Sequence, residues 1–423
     1  MRFLLFFICV FLPGILRAQD VEYARQVVQT LASDSMKGRG YIDDGDKLVS
    51  TFLKQEFEQL GLEAIDGSWF QPFNMAVNTF PGLLMLQIGD SVLVPGQDFL
   101  VSPSAPSASG TFETIHLSAQ DIFTDHVLEQ KIREGIGKVF VIEPIDVSAL
   151  NEAQKERWLQ FSGYLRFHPN NVARATILLT RQKLTWSAAR QQLGRPFFEV
   201  NSNSVPANFT QVSFTVEAEL IENYPTQNVI AKIDGTESDS LIVFMAHYDH
   251  FGKMGSALFP GANDNASGVA MMMSLARYFS THPPKYTTVF LAFGGEEIGL
   301  LGSKYFIEHP TFDLEKIKFY LNFDLAGTGD EGIQVVNGSV YRSQFNRMRE
   351  LNTADDLLPD VKIRGAACNS DHCVFHEKNI PGFYIYTLGG IRAYHDIYDR
   401  AETLPFTEFE DYFELVVKFI EDF

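Results

Sequence analysis

Residues 241–246 read Leu-Ile-Val-Phe-Met-Ala, with no polar side chain, and run straight into His247. This run constrains the fold more than any other feature. A strand with one solvated face alternates apolar and polar residues, whereas an unbroken apolar run fits a strand covered on both faces. A sheet with helices on both sides supplies that cover. Residues 223–423 agree with it: strand-like segments (241–246, 287–293, 317–325, 333–336, 383–387) alternate with helical ones (267–280, 298–308, 406–423). The expected fold is α/β, a mixed, mostly parallel sheet flanked by helices.

Residues 20–61 read as two helices. Val21, Ala24, Val27, Val28 and Leu31 recur at helical spacing, as do Val49, Leu53, Phe57 and Leu60, and a Gly- and Asp-rich loop at 35–46 separates them. From 78 to 222 the texture changes. Short β-like runs at 83–88, 139–142, 175–179 and 212–216 alternate with turn-formers such as Pro103, Pro144 and Pro169. No His, Asp and Glu cluster at ligand spacing there. The expected organisation is a catalytic domain built from 19–77 and 223–423, with a smaller inserted β-rich domain over 78–222.

Residues 1–18 combine Arg2, an apolar run and Ala18 at a plausible cleavage point, the pattern of a signal peptide. Export to the periplasm, the cell surface or the medium is therefore expected. No later segment is long and apolar enough to span a membrane, so an integral membrane protein is not expected. The formal net charge is −19, which disfavours nucleic acid as a partner. No feature specifies an oligomer. Cys368 and Cys373, at C-x4-C spacing, allow either a stapled loop or two thiols, and two cysteines are too few for a structural zinc site.

In open α/β sheets, sites form beyond the carboxyl ends of the strands. The first strand ends at His247. The next loop contains Asp264, the next strand leads to Glu296-Glu297, the following one ends at Asp324, and the loop after 383–387 carries His395. Two imidazoles (His247, His395) and three carboxylates (Asp264, Glu297, Asp324) suit a pair of zinc ions. A pair ~3.5–4 Å apart needs a bridging carboxylate, and Asp264 is the candidate because its loop falls between the other donors. Glu296 adjoins Glu297 but points elsewhere, so it is free to act as general base on a metal-activated water.

Three further groups are weaker candidates. Asp249, two residues beyond His247, is placed to orient a ligand histidine or a metal. Tyr394 is placed to donate its hydroxyl to an oxyanion. Ser370-Asp371-His372 is a candidate for the pocket wall. His250, His309 and His376 read as surface or packing histidines, and Met271 to Met273 as core.

His247-Tyr248-Asp249, the segment from Gly261 to Gly268, Gly295-Glu296-Glu297, Asn322-Phe323-Asp324, Ser370-Asp371-His372 and Tyr394-His395 together resemble the zinc aminopeptidases of peptidase family M28. Order and spacing match over 223–423. Gly38-Arg39-Gly40 and the residues before it resemble the start of that family's catalytic domain, and 78–222 sits where many relatives carry a protease-associated insert. The resemblance implies one zinc on His247 and Asp324, another on Glu297 and His395, and Asp264 between them. It also implies a disulfide flanking Ser370-Asp371-His372. One position departs from the pattern. Relatives often have Thr after the last ligand; this chain has Asp396, which is expected to add negative charge near the rim.

The activity expected is removal of amino-terminal residues from peptides. The alternatives are a carboxypeptidase or another hydrolase of small amides, a glutaminyl cyclase, and a non-catalytic binding domain. The last two usually lack part of the ligand set or the base, and here both are complete.

Overall fold

The computed structural model describes residues 14–206 and 208–423 and places residues 241–246 at the centre of a nine-stranded sheet. In chain order the strands are β1 (Glu63–Ala64), β2 (Phe70–Thr79), β3 (Glu219–Ile233), β4 (Glu237–His247), β5 (Tyr286–Phe293), β6 (Ile317–Asp324), β7 (Ile333–Val336), β8 (Val361–Ile363) and β9 (Gly382–Thr387). Across the sheet the order is β1-β3-β5-β4-β6-β9-β7-β8, with β2 also on β3.

The central strands β5-β4-β6-β9 are parallel. The flanks are not: β1 and β2 run against β3, β3 against β5, and β7 against β9. The sheet is mixed, but it is less parallel than expected. The cause lies in two links, 234–236 and 325–332, which contain no helix. A chain that returns without a crossover helix reverses direction.

The helices on this sheet are α1 (Gly14–Leu31), α2 (Gly45–Gln59), α3 (Gly268–Thr281), α4 (Leu301–Glu308), α5 (Arg342–Asp355), α6 (His372–Glu377) and α7 (Phe409–Glu421). On one face, Ile242, Phe244 and Ala246 of β4 join a core with Val28, Met271, Leu275 and Val416. On the other, Leu241, Val243 and Met245 join Phe306, Phe375 and Ile380. Each such side chain, when fully buried, contributes about 1.5–3 kcal/mol. Met271, Met272 and Met273 are core, as expected. Among the described residues no helix is long and apolar enough to cross a membrane. The segment expected to be a signal peptide lies outside the described residues apart from 14–18.

A second sheet, of eight strands, falls between residues 84 and 216. Its strands at 108–117, 139–142, 175–180 and 197–201 are parallel neighbours. The helices Asp125–Glu134 and Glu152–Phe167 belong to this segment. The segment, expected to be β-rich, thus carries helices as well as its eight-stranded sheet. Leu117, Phe140, Ile142, Phe161 and Leu165 form its outer core. Its inner core includes Phe251, Met254 and Phe259 from the segment after β4, so that segment packs directly on the second sheet.

Candidate metal and catalytic centre

Parallel register brings the strand ends together. His247 pairs with Phe293, whose strand leads into Glu296 and Glu297, and Asp324 pairs with Tyr386. The loop after β4 adds Asp264, and the loop after β9 adds His395. A cleft of about 210 Å³ results, lined by His247, Asp264, Glu296, Glu297, Asp324 and His395, with Leu325, Asn369, Tyr384, Tyr386 and Tyr394 completing its wall. All five residues expected to bind metal, the expected base and Tyr394 therefore meet in one place. A larger cavity of about 460 Å³, lined by Ser102, Arg166, Arg190 and Ile298 among others, has no imidazole or carboxylate on its wall and cannot run the same chemistry.

Asp264 is the hub. His247 Nε2 lies 3.5 Å from its Oδ1, and His395 Nε2 lies 2.9 Å from its Oδ2. His247 Nε2 is also 3.7 Å from Asp324 Oδ2 and 4.0 Å from Glu296 Oε2, and His395 Nε2 is 3.6 Å from Glu297 Oε2. Ligand atoms of His247, Asp264 and Asp324 lie within 4.8 Å of one another, and so do those of His250, Asp264 and Glu297. Two donor groups that share one carboxylate fit a bridged cation pair.

The electrostatics favour a cation. Asp249, Asp264, Asp324 and Asp371 are buried, and Asp324 Oδ1 has no hydrogen-bond partner. Without a cation, burial pushes the carboxyls of Glu296, Glu297 and Asp324 upward. Burial opposes protonation of His247, but the charges of Glu296, Asp324 and Asp264 outweigh it and raise the imidazole. Burial also opposes ionisation of Asp264, yet the His395 bond and neighbouring imidazoles hold its carboxyl well below the usual range. A cluster that draws a proton onto His247 is one that a divalent cation satisfies better.

The Asp264 loop is built to be rigid. Asp399 accepts the backbone N–H groups of Asn263 (2.8 Å) and Asp264 (2.9 Å). Asn265 Nδ2 donates to the Phe323 carbonyl at 3.0 Å, which ties the loop to β6. Arg39 is fully buried and donates to the carbonyls of Tyr248 (2.8 Å), Pro260 (2.6 Å), Gly261 (2.7 Å) and Asp264 (3.0 Å). Burial pulls this guanidinium down to about 10, so it stays charged at neutral pH. The Arg39 segment reaches the loop because Gly40 lies against Gly252, where a β-carbon would come within 2.5 Å of backbone.

Asp249 was expected to orient a ligand histidine or a metal. It is buried behind the cleft and holds backbone: Oδ1 accepts from Glu296 N at 3.1 Å, and Oδ2 from Glu297 N at 3.3 Å and from the Tyr41 hydroxyl at 2.6 Å. Its carboxylate stays 3.8 Å from His247 Nδ1, while its backbone carbonyl lies 3.3 Å from the same nitrogen. Asp249 is not among the residues that line the cleft. Ser370, Asp371 and His372 are also behind the wall. Ser370 receives Asn322 Nδ2 at 2.9 Å, and His372 stacks on Tyr384. Cys368 and Cys373 form a disulfide, and the loop it closes presents Asn369 to the cleft.

Three features escaped the sequence reading. His250 is neither exposed nor a simple packing residue: it is fully buried, with Nδ1 2.6 Å from Glu297 Oε1, behind the carboxylate that faces His395. Its spacing from His247, H-x-x-H, was the available signal. Tyr384, at the cleft wall, donates to Asp324 Oδ2 at 3.3 Å. Asp396 adds no charge to the rim, because it is 4% exposed and paired at 2.7 Å with Lys183 of the inserted segment.

Residues 228–420 match the sequence profile of peptidase family M28. Over 217 residues the chain is 28% identical to aminopeptidase YwaD of Bacillus subtilis, covering 49% of this chain and 47% of that protein. Over 178 residues it is 29% identical to leucine aminopeptidase 2 of Trichophyton equinum, covering 40% of this chain and 35% of that one. The chain thus spans about half, or less, of the length of these curated relatives. Among solved structures, BSAP, a zinc aminopeptidase from Bacillus subtilis, superposes with a TM-score of 0.67 at 18% identity, covering 95% of this chain and 94% of that one. A peptidase M28 precursor from Shewanella amazonensis gives 0.63 at 16% identity over 96% of both chains. At these identities the structural likeness carries the fold alone. Residues 228–420 thus match peptidase family M28, and the fold of the chain agrees with that match.

Proposed function

We propose that the chain is a di-zinc aminopeptidase that releases residues from the amino termini of peptides. His247 and Asp324 would hold one ion, Glu297 and His395 the other, with Asp264 shared. The chemistry such a pair supplies when bound is acidification of a water and polarisation of the scissile carbonyl. Glu296 takes the proton of the attacking water and returns it to the leaving amine. Burial raises its carboxyl, so it takes up a proton more readily than an exposed glutamate. Tyr394 lines the cleft, and its hydroxyl is the donor for the carbonyl oxygen as charge develops there. Tyr384 is already committed to Asp324.

One observation carries the reading: His247 with Asp324, and His395 with Glu297, flank Asp264 and open, beside Glu296, into a cleft of only about 210 Å³. Sites for drug-sized ligands run to about 300–1,000 Å³, so this one suits a single terminal residue. Among the described residues, no Lys or Arg lines it. A free carboxylate would require such a partner, whereas an ammonium group is matched by the acidic wall. The Cys368–Cys373 disulfide supports export to an oxidising compartment. The test is zinc content measured alongside release of leucine from a short peptide. Two zincs per chain, with activity lost on chelation and restored by zinc, is the expected result; full activity in the chelated protein would overturn the proposal.

A further inference from the structure

The loop that carries His395 is held from outside the catalytic sheet. Lys183 Nζ, in the inserted segment, donates to the carbonyls of Arg392 at 2.6 Å and Tyr394 at 2.9 Å, and pairs with Asp396 Oδ2 at 2.7 Å. Three residues on, the backbone N–H of Trp186 donates to the His395 carbonyl at 2.9 Å. Residues 392, 394, 395 and 396 are therefore each bonded to one short stretch of the insert.

That stretch is itself anchored. The Trp186 ring is buried, stacks on Phe259 at 5.0 Å, and its indole N–H donates to the Val101 carbonyl at 2.8 Å. The loop needs such support, because His395 has a φ of 55°, a left-handed conformation that a side chain adopts only where its surroundings impose it. Asp396 Oδ1 also accepts Tyr398 N at 2.8 Å, so the carboxylate links Lys183 to the next turn of the same loop.

We propose that Lys183, seated by Trp186, is a positioning residue for His395, and that the insert thereby sets the affinity of one of the two zinc sites. The inference rests on the di-zinc reading above. Lys183 never touches substrate. It acts through the backbone that aims the His395 ring at Asp264 and Glu297. The counterpart zinc position, on His247 and Asp324, is carried by strand ends that Lys183 does not touch, and meets the His395 loop only through the shared Asp264.

The test is zinc retention against graded chelator in the full chain, for the parent, Lys183→Met, Lys183→Arg and, as a control, Lys138→Met, which breaks an ion pair elsewhere in the insert. Removing a group that orients a metal ligand typically weakens metal binding about 10–100-fold. Lys183→Met is expected to lose one zinc at about 10–100-fold lower chelator concentration. The second zinc and the melting temperature of the chelated protein should stay at parental values, with Lys183→Arg restoring much of the loss. Equal retention of both zincs in Lys183→Met, or equal weakening of both together with a lower melting temperature, would overturn the inference. A parent that binds fewer than two zincs would instead overturn the di-zinc reading, and this inference with it.

Discussion

Asp249 Oδ1 accepts the backbone N–H of Glu296 at 3.1 Å, so a carboxylate outside the cleft fixes the direction of the proposed base. Its other oxygen holds Glu297 N and the Tyr41 hydroxyl, which in turn accepts Gly295 N at 2.9 Å. Asp249→Asn keeps the shape but puts an N–H₂ against one set of donors. Turnover should fall about 10–100-fold, with most of the bound zinc retained. Parallel measurement of kcat and zinc content checks this. Loss of both zincs would move Asp249 from positioning the base to holding the metal.

Glu296 sits at the cleft with its carboxylate 4.0 Å from His247 Nε2. Glu296→Gln removes the proton acceptor while preserving volume. We expect kcat to drop about 10²–10⁴-fold, the usual contribution of a general base, with zinc content and melting temperature unchanged. Steady-state kinetics on metal-loaded protein is the check, and near-normal activity would remove Glu296 from the mechanism.

Tyr394 and Tyr384 both line the cleft, but only Tyr384 has its hydroxyl bonded to a carboxylate in it. Tyr394→Phe should therefore lower kcat about 10²–10³-fold with little change in KM, as loss of an oxyanion donor does. Tyr384→Phe should act mainly through Asp324, seen as weaker zinc retention. If Tyr394→Phe changes kcat less than threefold while Tyr384→Phe carries the larger loss, the two roles are reversed.

Asp46 lies outside the metal cluster, fully buried, and accepts the hydroxyls of Tyr224 (2.7 Å) and Thr226 (2.8 Å). Burial raises its carboxyl from an ordinary 3.8 to about 6. A folded-state value above the unfolded one means that the proton is bound more tightly in the folded protein. The resulting stability is complete below about 3.8 and is lost as pH rises through about 6. The loss is at most about 3 kcal/mol. In chelated protein, the melting temperature of Asp46→Asn minus that of the parent should rise between pH 4 and pH 7. A difference that stays flat or falls would contradict the assignment.

The catalytic half was largely legible because β4, covered on both faces, leaves a continuous apolar run over 241–246 that stops at His247, the first proposed ligand. The inserted segment was not. Its strand at 108–117 is half-exposed and polar, so no apolar run marks it. The helix Asp125–Glu134 buries no residue fully, so no apolar stripe betrays it. His250 and Asp396 were misjudged for a different reason. What makes each of them internal is a partner far away in sequence, Glu297 for one and Lys183 for the other, and local pattern carries no trace of such pairings. Arg39 belongs with them: its role is to bond four carbonyls contributed by two distant segments.

The central claim is that this cleft removes residues from free amino termini with Glu296 as base. The most direct measurement is mass spectrometry of one peptide in three forms, with free ends, an acetylated amino terminus and an amidated carboxyl terminus, incubated with zinc-loaded protein and with Glu296→Gln. Stepwise amino-terminal loss from the free and amidated forms, none from the acetylated form and none with the variant, is the predicted result. Shortening from the carboxyl end, or equal cleavage of the acetylated peptide, would contradict it.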